Sequence, residues 1–393
     1  MHKTHPFRRW AAALALTTLT ALAACGGGGN GGSGSGTLRM ALTDAPACGY
    51  DEVNVTVRQV RVHQSSTATD SDGGWSTIEL TPARRLDLLT LTNGVLEELG
   101  QTGLPAGTYT QLRLVLEDNT PGNPLANSVI PSGGAETALK TPSGPQSGLK
   151  INTNLTVAPD QLADFVLDFD ACRSVVVAGM SGQYLLKPVL RVLPRTETGV
   201  QGEVAAALVV PGTTLSLQQD GVAVRATSPA ADGSFKLQPI QPGNYSLVVT
   251  SPGRATLVVK NVEVFNGQLL RISPLGERLD PPASGSATLD GEVSTATTPV
   301  DAEVRVLQTL NGGPTIELAG GPVDADTGVY DHDVAVAPPQ IALYANGASL
   351  SFVADPVAPN AFSLRATSGG AIRNAGPFAL VLGETRTTDF DFP

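Results

Sequence analysis

Asp168 and Asp170 form the first arrangement in the sequence that could carry out chemistry. They follow one another at i and i+2 in the apolar run 165–170, so on a strand they share one face, about 7 Å apart. Paired carboxylates can hydrolyse glycosides or bind calcium. Aspartates in such positions also accept backbone N–H groups or form turns, and this structural interpretation is the one we favour.

A second acidic group consists of Asp324, Asp326, Asp331 and Asp333. These four carboxylates are dense enough in sequence to bind Ca²⁺ weakly, and Ca²⁺ is the single cofactor that the sequence suggests. The run 70–73 starts like a calcium loop but lacks the later ligands. For both groups, turn-forming and solvating roles are the favoured alternative.

The sequence contains no motif that would position a catalytic base or nucleophile. After residue 24 the chain has two histidines, His63 and His332, which lie in different predicted modules. There is no G-x-S-x-G elbow, H-E-x-x-H pair or phosphate-binding glycine loop. We expect both histidines to be solvated polar positions, and we expect a protein that is not an enzyme.

The N-terminus has the pattern of a secretory signal. Residues 1–10 are basic, and 11–24 form an apolar stretch too short to cross a bilayer as a helix. The stretch Leu22 to Cys25 resembles the lipobox of bacterial lipoproteins. The resemblance implies cleavage after residue 24 and attachment of lipid to Cys25; the alternative is an ordinary signal with a chance cysteine.

Residues 25–36 predict a lipidated cysteine followed by a flexible Gly/Ser tether. A coil of this length extends roughly 15–20 Å. In lipoproteins an Asp after the lipidated Cys favours retention in the inner membrane, and this chain has Gly26 there. The resemblance therefore implies an exported protein anchored in the outer membrane.

The remaining cysteines, Cys48 and Cys172, predict a disulfide, because export permits oxidation and their spacing does not fit a CxxC site.

The charge of the chain argues against nucleic acid as a partner. Without residues 1–24 it has 22 Lys and Arg against 36 Asp and Glu, a net charge of about −14, and no basic cluster is present. Binding to phosphates requires such cations. A membrane reached through the lipid anchor, and an unidentified envelope protein or glycan, are the expected partners.

Short alternating runs, separated by Gly, Pro, Asn and Asp, predict an all-β protein. We expect tandem β-sandwiches of the immunoglobulin or transthyretin type, over residues 37–195, 198–278 and 286–393. Two local details sharpen this prediction. The pair Arg58-Gln59 interrupts an alternating valine run and predicts a β-bulge, and Asp220-Gly221 predicts a tight hairpin. Residues 119–149 are rich in Pro, Gly and Ser and show no clear pattern, so we expect a surface excursion there.

The first module resembles a known family. The segments LTDAPACGYDEVNVTVRQVRVH, RLDLLTLTNG, GLPAGTYTQLRLVLED, LDFDACRSVVVAG and YLLKPVLRV occur in order across 37–195. Together they resemble domain of unknown function 4382, which occurs in exported lipoproteins. The resemblance implies a fold and a location but no activity.

The second module resembles the carboxypeptidase regulatory-like, transthyretin-like family through ADGSFKLQPIQPGNYSLVVTSPGRAT. Its turn at Asp232-Gly233, its core aromatics Phe235 and Tyr245 and its glycine at 253 fit that pattern. Such modules are spacers or binding scaffolds. The motif around Pro105–Tyr109 repeats the one at Pro242–Tyr245, and 326–330 of the third module is a diverged version.

These observations predict a membrane-anchored surface or periplasmic lipoprotein whose sandwich modules act in binding or in envelope structure. The first alternative is a carbohydrate-binding lipoprotein, for which Trp75 would be the aromatic platform. The second is a hydrolase that uses carboxylates alone.

Overall fold

Twenty-nine β-strands, one single-turn α-helix and three short 3₁₀ helices make up the described part of the chain. This part comprises residues 34–44, 49–142 and 144–393 of a computed structural model. The strands form three successive pairs of sheets, each with its own apolar core. The predicted all-β fold of tandem sandwiches is confirmed. The signal segment, Cys25 and Cys48 lie outside the described residues.

The first sandwich packs a four-stranded sheet, in the order β12-β9-β1-β4, on an eight-stranded one, in the order β10-β11-β7-β6-β2-β5-β8, with β3 also paired to β2. Its 3₁₀ helix spans Leu88–Leu91 and α1 spans Ala171–Ser174. The strands are β1 (Ser35–Asp44), β2 (Tyr50–His63), β3 (Ser76–Asp87), β4 (Glu97–Pro105), β5 (Gly107–Leu116), β6 (Ser128–Pro131), β7 (Thr137–Lys140), β8 (Leu149–Val157), β9 (Leu162–Phe169), β10 (Val175–Ala178), β11 (Gln183–Leu186) and β12 (Leu190–Pro194).

The predicted bulge in β2 is confirmed, because the register of β2 shifts between Val57 and Gln59 against both of its neighbours. The patternless stretch 119–149 was interpreted wrongly as a surface excursion. It contains β6 and β7, which extend the larger sheet and bury Val129 and Leu139. Each strand has four residues, too few for an alternating pattern to stand out from the surrounding turns.

The second sandwich packs a three-stranded sheet, in the order β16-β13-β19, on a six-stranded one, in the order β15-β14-β17-β18-β24-β25. The last two strands of the larger sheet, β24 (Gln340–Leu343) and β25 (Val353–Ala354), come from later in the chain. A 3₁₀ helix spans Ala206–Leu208. Residues 198–278 contribute the strands β13 (Gly199–Glu203), β14 (Thr214–Gln219), β15 (Val222–Thr227), β16 (Ser234–Leu237), β17 (Gly243–Thr250), β18 (Leu257–Val264) and β19 (Leu269–Arg271).

Two predicted turn features are present in these sandwiches. Asp220 and Gly221, both at positive φ (52° and 72°), join β14 to β15 as a two-residue hairpin. The repeated motif has a common structural role: Tyr109 and Tyr245 each donate a hydroxyl hydrogen bond, at 2.8 Å, to the carbonyl four residues upstream. The two tyrosines close equivalent corners of the first and second sandwiches.

The third sandwich packs a sheet in the order β23-β20-β28, with β29 also paired to β20, on a sheet in the order β22-β21-β26-β27. A 3₁₀ helix spans Ala358–Asn360. The strands from this part of the chain are β20 (Ser286–Thr295), β21 (Ala302–Thr309), β22 (Thr315–Pro322), β23 (Val329–Ala335), β24 (Gln340–Leu343), β25 (Val353–Ala354), β26 (Phe362–Ser368), β27 (Ala371–Phe378), β28 (Thr385–Thr387) and β29 (Phe390–Phe392).

Strands β24 and β25 leave the third sandwich and complete the large sheet of the second. β24 pairs in parallel with β18, with Leu257 opposite Gln340 and Lys260 opposite Leu343. Tyr344, Leu350 and Phe352 then pack on the core of the second sandwich. The two sandwiches therefore share a sheet, although their predicted sequence ranges are separate. In the residues that the structure describes, no helix is long and apolar enough to cross a membrane.

Gly328 provides a test of the turn that leads into β23. Its φ is +74°, and an added Cβ would lie 2.1 Å from the carbonyl oxygen of Val293. Gly328→Ala should lower the free energy of unfolding by about 3 kcal/mol, from the left-handed backbone and the clash together. The matched control is Gly347→Ala, which has a similar φ (+72°) and open space, and should cost only about 1 kcal/mol. Equal losses in urea unfolding would contradict the packing argument.

Candidate functional site at the junction of the sandwiches

The outer face of the four-stranded sheet in the first sandwich is covered by the second sandwich. Thr43 of β1 and Asp168 of β9 are neighbours in register and turn away from the core. They are nevertheless 0% and 8% exposed. An antiparallel or mixed sheet usually presents such polar positions to water, so their burial marks a contact between two modules.

Arg225 of β15 supplies the positive charge for this face. Its Nη1 forms an ion pair with Asp168 Oδ1, and its Nη2 donates to Thr43 Oγ1 at 3.1 Å. Thr43 Oγ1 donates onward to Leu91 O at 3.0 Å. Because Arg225 is only 4% exposed, both charges are removed from water. Such a pair is tolerated when the partners are close and have further hydrogen bonds.

Arg191 strengthens the same contact. It lies opposite Asp168 on β12, and its Nη1 donates to Val224 O at 2.7 Å. The backbone of β15 is therefore held by an arginine of the first sandwich, while Arg225 of β15 reaches back to Asp168. The two contacts fix the position of β15 along this sheet.

The third sandwich joins the second through Glu317 of β22. Glu317 pairs with Arg305 of β21, whose Nη2 also donates to Gly221 O at 2.7 Å. The side chain of Gln218 forms two hydrogen bonds with the backbone of Glu317: Glu317 N donates to Gln218 Oε1 at 2.7 Å, and Gln218 Nε2 donates to Glu317 O at 2.8 Å. A side-chain amide thus takes the place of a neighbouring strand at this point.

The third sandwich also contacts the first. Arg173 of α1 forms an ion pair with Glu303 of β21. At the turn before β23, Asp324 Oδ2 accepts from Gly179 N at 2.7 Å, Ala325 N donates to Val177 O at 2.8 Å, and Asp326 Oδ2 accepts from Ser181 N at 2.9 Å. All three sandwiches are therefore linked to one another.

A cavity of about 160 Å³ lies where the three sandwiches meet. Its polar lining includes Asp170, Arg173, Gln218 and Glu317. Burial raises the pKa of Asp170 from 3.8 to about 6; the nearby Arg173 opposes this rise and Asp168 adds to it. The carboxyl of Asp170 is thus the one group lining this cavity whose pKa the surroundings move toward neutrality, and its chemistry is that of a weak acid beside an arginine.

The structure separates the predicted pair Asp168 and Asp170. Strand β9 ends at Phe169, so Asp170 is not on the strand, and its Oδ1 accepts from Arg173 N at 3.1 Å at the start of α1. Asp168 instead pairs with Arg225 across the junction. Each carboxylate has a structural role, and the one at 170 is the predicted acceptance of a backbone N–H at a strand end.

The structure also divides the four aspartates that the sequence suggested as weak Ca²⁺ ligands. Asp324 and Asp326 accept backbone N–H groups of the first sandwich, whereas Asp331 and Asp333 are exposed on β23. Within residues 34–44, 49–142 and 144–393, no group of three or more His, Cys, Asp or Glu side chains is arranged to hold a metal ion. The four carboxylates therefore do not form one cluster, and Asp324 has the favoured turn-forming role, since its Oδ1 accepts from Asp326 N at 3.0 Å and from Thr327 N at 2.9 Å.

The orientation of His332 was predicted wrongly. Residues 330, 332 and 334 share one face of β23, and Tyr330 and Val334 belong to the core. His332 points inward with them, and its Nε2 lies 3.2 Å from Val304 O. Burial lowers its pKa, partly opposed by the bond to Val304. His63, by contrast, is a partly exposed residue whose Nδ1 accepts from Ser65 N at 2.9 Å.

Cys172 in α1 is a disulfide-bonded cysteine. Its predicted partner, Cys48, lies outside the described residues, so the pairing stays a prediction.

Trp75 does not present an open ring. The guanidinium groups of Arg61 and Arg113 lie 4.5 and 4.7 Å from the ring centroid. The ring of His63 lies 5.0 Å away, and Trp75 Nε1 donates to Thr69 O at 3.0 Å. Cation–π packing of this kind fastens the loop between β2 and β3.

The arginines of the junction were missed by the sequence analysis. Arg225 and Arg305 each interrupt an apolar run of a strand, in VAVRAT and EVRVLQ, and both arginines are themselves buried. A cation inside such a strand is costly unless an acid faces it. This pattern is the signal that would have marked them as contacts between modules.

Comparison with known proteins gives a family-model match over part of the chain. Residues 35–188 match the family model described as a domain of unknown function (DUF4382), which supports the predicted resemblance of the first module. The resemblance of the second module to the carboxypeptidase regulatory-like family stays a prediction. No curated protein matches the chain.

Two solved structures are similar at a low level. The Bacillus anthracis TIE protein is 12% identical with a TM-score of 0.18, covering 91% of this chain and 51% of its own. The Streptococcal ancillary pilin is 12% identical with a TM-score of 0.14, covering 91% and 99%. The chain thus spans about half the length of the first of these proteins. TM-scores of this size do not indicate a shared function.

Removing the positive charge of Arg225 should unfold the junction. Arg225→Met leaves Asp168 buried without its cation, and should lower the free energy of unfolding by about 3–5 kcal/mol. The matched control is Lys187→Met, since Lys187 pairs with Asp301, whose side chain is 83% exposed; an exposed pair contributes ~0–1 kcal/mol. Urea unfolding of the two variants measures the difference, and a loss for Arg225→Met no larger than the control would contradict the assigned role.

The raised pKa of Asp170 predicts a stability change with pH. The pKa of this carboxyl is higher in the folded state than in the unfolded state. Its contribution to the free energy of unfolding is therefore fully present below pH 3.8 and is lost as the pH rises through about 6. Above that pH its charge costs roughly 3 kcal/mol. Asp170→Asn keeps an oxygen for the cap and removes this charge, so the variant should unfold at a higher temperature than the parent at pH 7 but not at pH 3.5.

Asp168→Asn, two residues earlier, is the control for this experiment. It leaves Arg225 without its carboxylate, so its melting temperature at pH 7 should fall. A lower melting temperature for Asp170→Asn at pH 7 would show that the charged form of Asp170 stabilises the fold.

Proposed function

We propose that this protein is an exported lipoprotein, attached to the outer membrane through Cys25, whose three β-sandwiches serve in binding or in envelope structure without catalysing a reaction. The leader and the lipobox-like stretch before Cys25 support the anchor. The glycine-rich tether supports a folded part held away from the lipid, and it ends by Ser35, where β1 begins.

The contacts of the carboxylates at the junction of the sandwiches are the main support for a non-catalytic role. Hydrolysis by carboxylates needs an acid and a base that both reach a substrate. Asp168 and Glu317 form ion pairs with Arg225 and Arg305, respectively, and Asp170 caps α1. Asp168 is therefore engaged in holding two sandwiches together and Asp170 in capping a helix, which supports a scaffold.

The links between the sandwiches also support a single rigid body. A chain of independent modules would bend at its linkers, whereas here ion pairs and a shared sheet connect each sandwich to the others. Such a body suits a role in which a surface must be held in a fixed orientation. The carbohydrate-binding alternative gains no support from Trp75, because Arg61 and Arg113 lie against its ring and a sugar would have to displace them.

Lipid attachment at Cys25 is the step that tests this proposal. In cells that express the full chain and are fed a radioactive fatty acid, the parent should carry label and fractionate with the membrane. Cys25→Ser should carry none, because the thioether cannot form. Cys172→Ser is the matched control, a cysteine substitution in the folded part, and should keep the label. Equal labelling of parent and Cys25→Ser would refute the anchor.

A further inference from the structure

One side of the third sandwich is open between two edge strands. β22 ends the sheet β22-β21-β26-β27, and β23 ends the sheet β23-β20-β28. The two strands follow each other in the chain and lie at the same side of the sandwich. An edge strand has a row of backbone groups without a neighbouring strand, and a partner can pair with it.

The backbone groups that β23 leaves free can be assigned from its register. Thr288 N donates to Glu384 O and Asp290 O accepts from Thr388 N, so both residues of β20 direct their backbone groups toward β28. Their partners on β23 are Asp333 and Asp331. In an antiparallel pair, such positions point their N–H and C=O groups away from each other. Asp331 and Asp333 therefore present theirs along the free edge of β23.

A groove runs beside this edge. It consists of two adjoining cavities of about 410 and 750 Å³, which share His332 and Gly320 in their linings. Gly321 of β22 lines the larger cavity, and an added Cβ there would meet nothing within 4 Å, so this position leaves the space unfilled. The larger cavity is bordered by the exposed apolar residues Val177, Met180 and Val329. The groove therefore has the depth to take side chains from an added strand.

The outer face next to this edge is strongly acidic. Asp290 and Asp331 lie directly opposite one another in the register, an arrangement that repels. None of the six acids on or beside this face forms an ion pair within the described part of the chain, whereas the junction acids do. The six are Asp290, Glu292, Asp331, Asp333, Asp389 and Asp391.

We propose that the free edge of β23 binds an extended segment of a partner protein by strand addition. Side chains alternate between the two faces of a strand. One set would enter the groove beside Gly320 and His332 and should be apolar. The other set would lie beside Asp331 and Asp333 and should be basic. This partner chemistry rests on the proposed binding role and specifies it, but it does not depend on the lipid anchor.

A peptide of alternating valine and lysine tests the proposal. The probe has seven residues, the length of β23, with blocked ends and a fluorescent label, and is titrated with the full chain while anisotropy is recorded. We expect saturable binding. The same peptide with glutamate in place of lysine should bind at least about tenfold more weakly, because its charges repel the acidic face.

Two changes to the backbone separate strand addition from simple charge attraction. A valine–lysine peptide methylated on every backbone nitrogen keeps its charges but cannot donate to the edge, and its affinity should fall by about tenfold or more. Asp331→Pro removes an N–H from the edge strand, a substitution that edges tolerate, and should weaken binding similarly.

Asp331→Asn removes one negative charge beside the edge and should weaken binding of the valine–lysine peptide, and Asp391→Asn is its matched charge control. Asp391 lies on β29, which is not the strand beside the groove, so its removal should change affinity less than removal of Asp331. Equal binding of the methylated and unmethylated peptides, or no binding of the unmethylated one, would overturn strand addition at β23. Such a result would leave the edge acids as residues that keep other strands away, and it would not affect labelling at Cys25.

Discussion

The ion pair between Arg225 and Asp168 is the interaction on which the arrangement of the sandwiches depends. Arg225 and Asp168 belong to different sheets, and the strand pairing of each sheet does not require the other sheet. Both side chains are almost fully buried. Burying either alone would cost several kcal/mol, so the two sheet faces come together only in an alignment that brings the charges into contact. The pair constrains geometry more than it adds stability, since desolvation offsets much of its attraction.

The same constraint recurs at the other contacts between sandwiches. Arg305 holds Glu317 and the carbonyl of Gly221, and Arg173 holds Glu303. An arginine suits this position because its planar group can bond to a carboxylate and to a backbone oxygen at once. Apolar surface alone would let two sheets slide past each other. A few directional contacts, added to the shared strand pairing of β18 and β24, leave one arrangement.

Local sequence patterns were sufficient for the strands but not for the contacts between modules. The interrupted valine run at Arg58-Gln59 and the turn at Asp220-Gly221 are determined by neighbouring residues, so the bulge and the hairpin were predictable. The pairing of Arg225 with Asp168 joins residues 57 positions apart, and no local pattern specifies such a partner. The same holds for β24, whose apolar residues indicate a strand but not the sheet that it joins.

The position of His332 shows that the orientation of residues on a short strand is predicted wrongly when it is assigned from the charges of their neighbours. Asp331 and Asp333 flank it, and a polar run of three residues suggests a solvated strand, yet alternation with the core residues Tyr330 and Val334 places His332 inside. Its Nε2 then lies 3.2 Å from Val304 O, which gives this half-buried polar group a partner beside the core. Because His332 is inside, the two aspartates must be outside, with their backbone groups at the sheet edge. The phase of this one strand therefore determines both the acidic face and the free edge of the third sandwich.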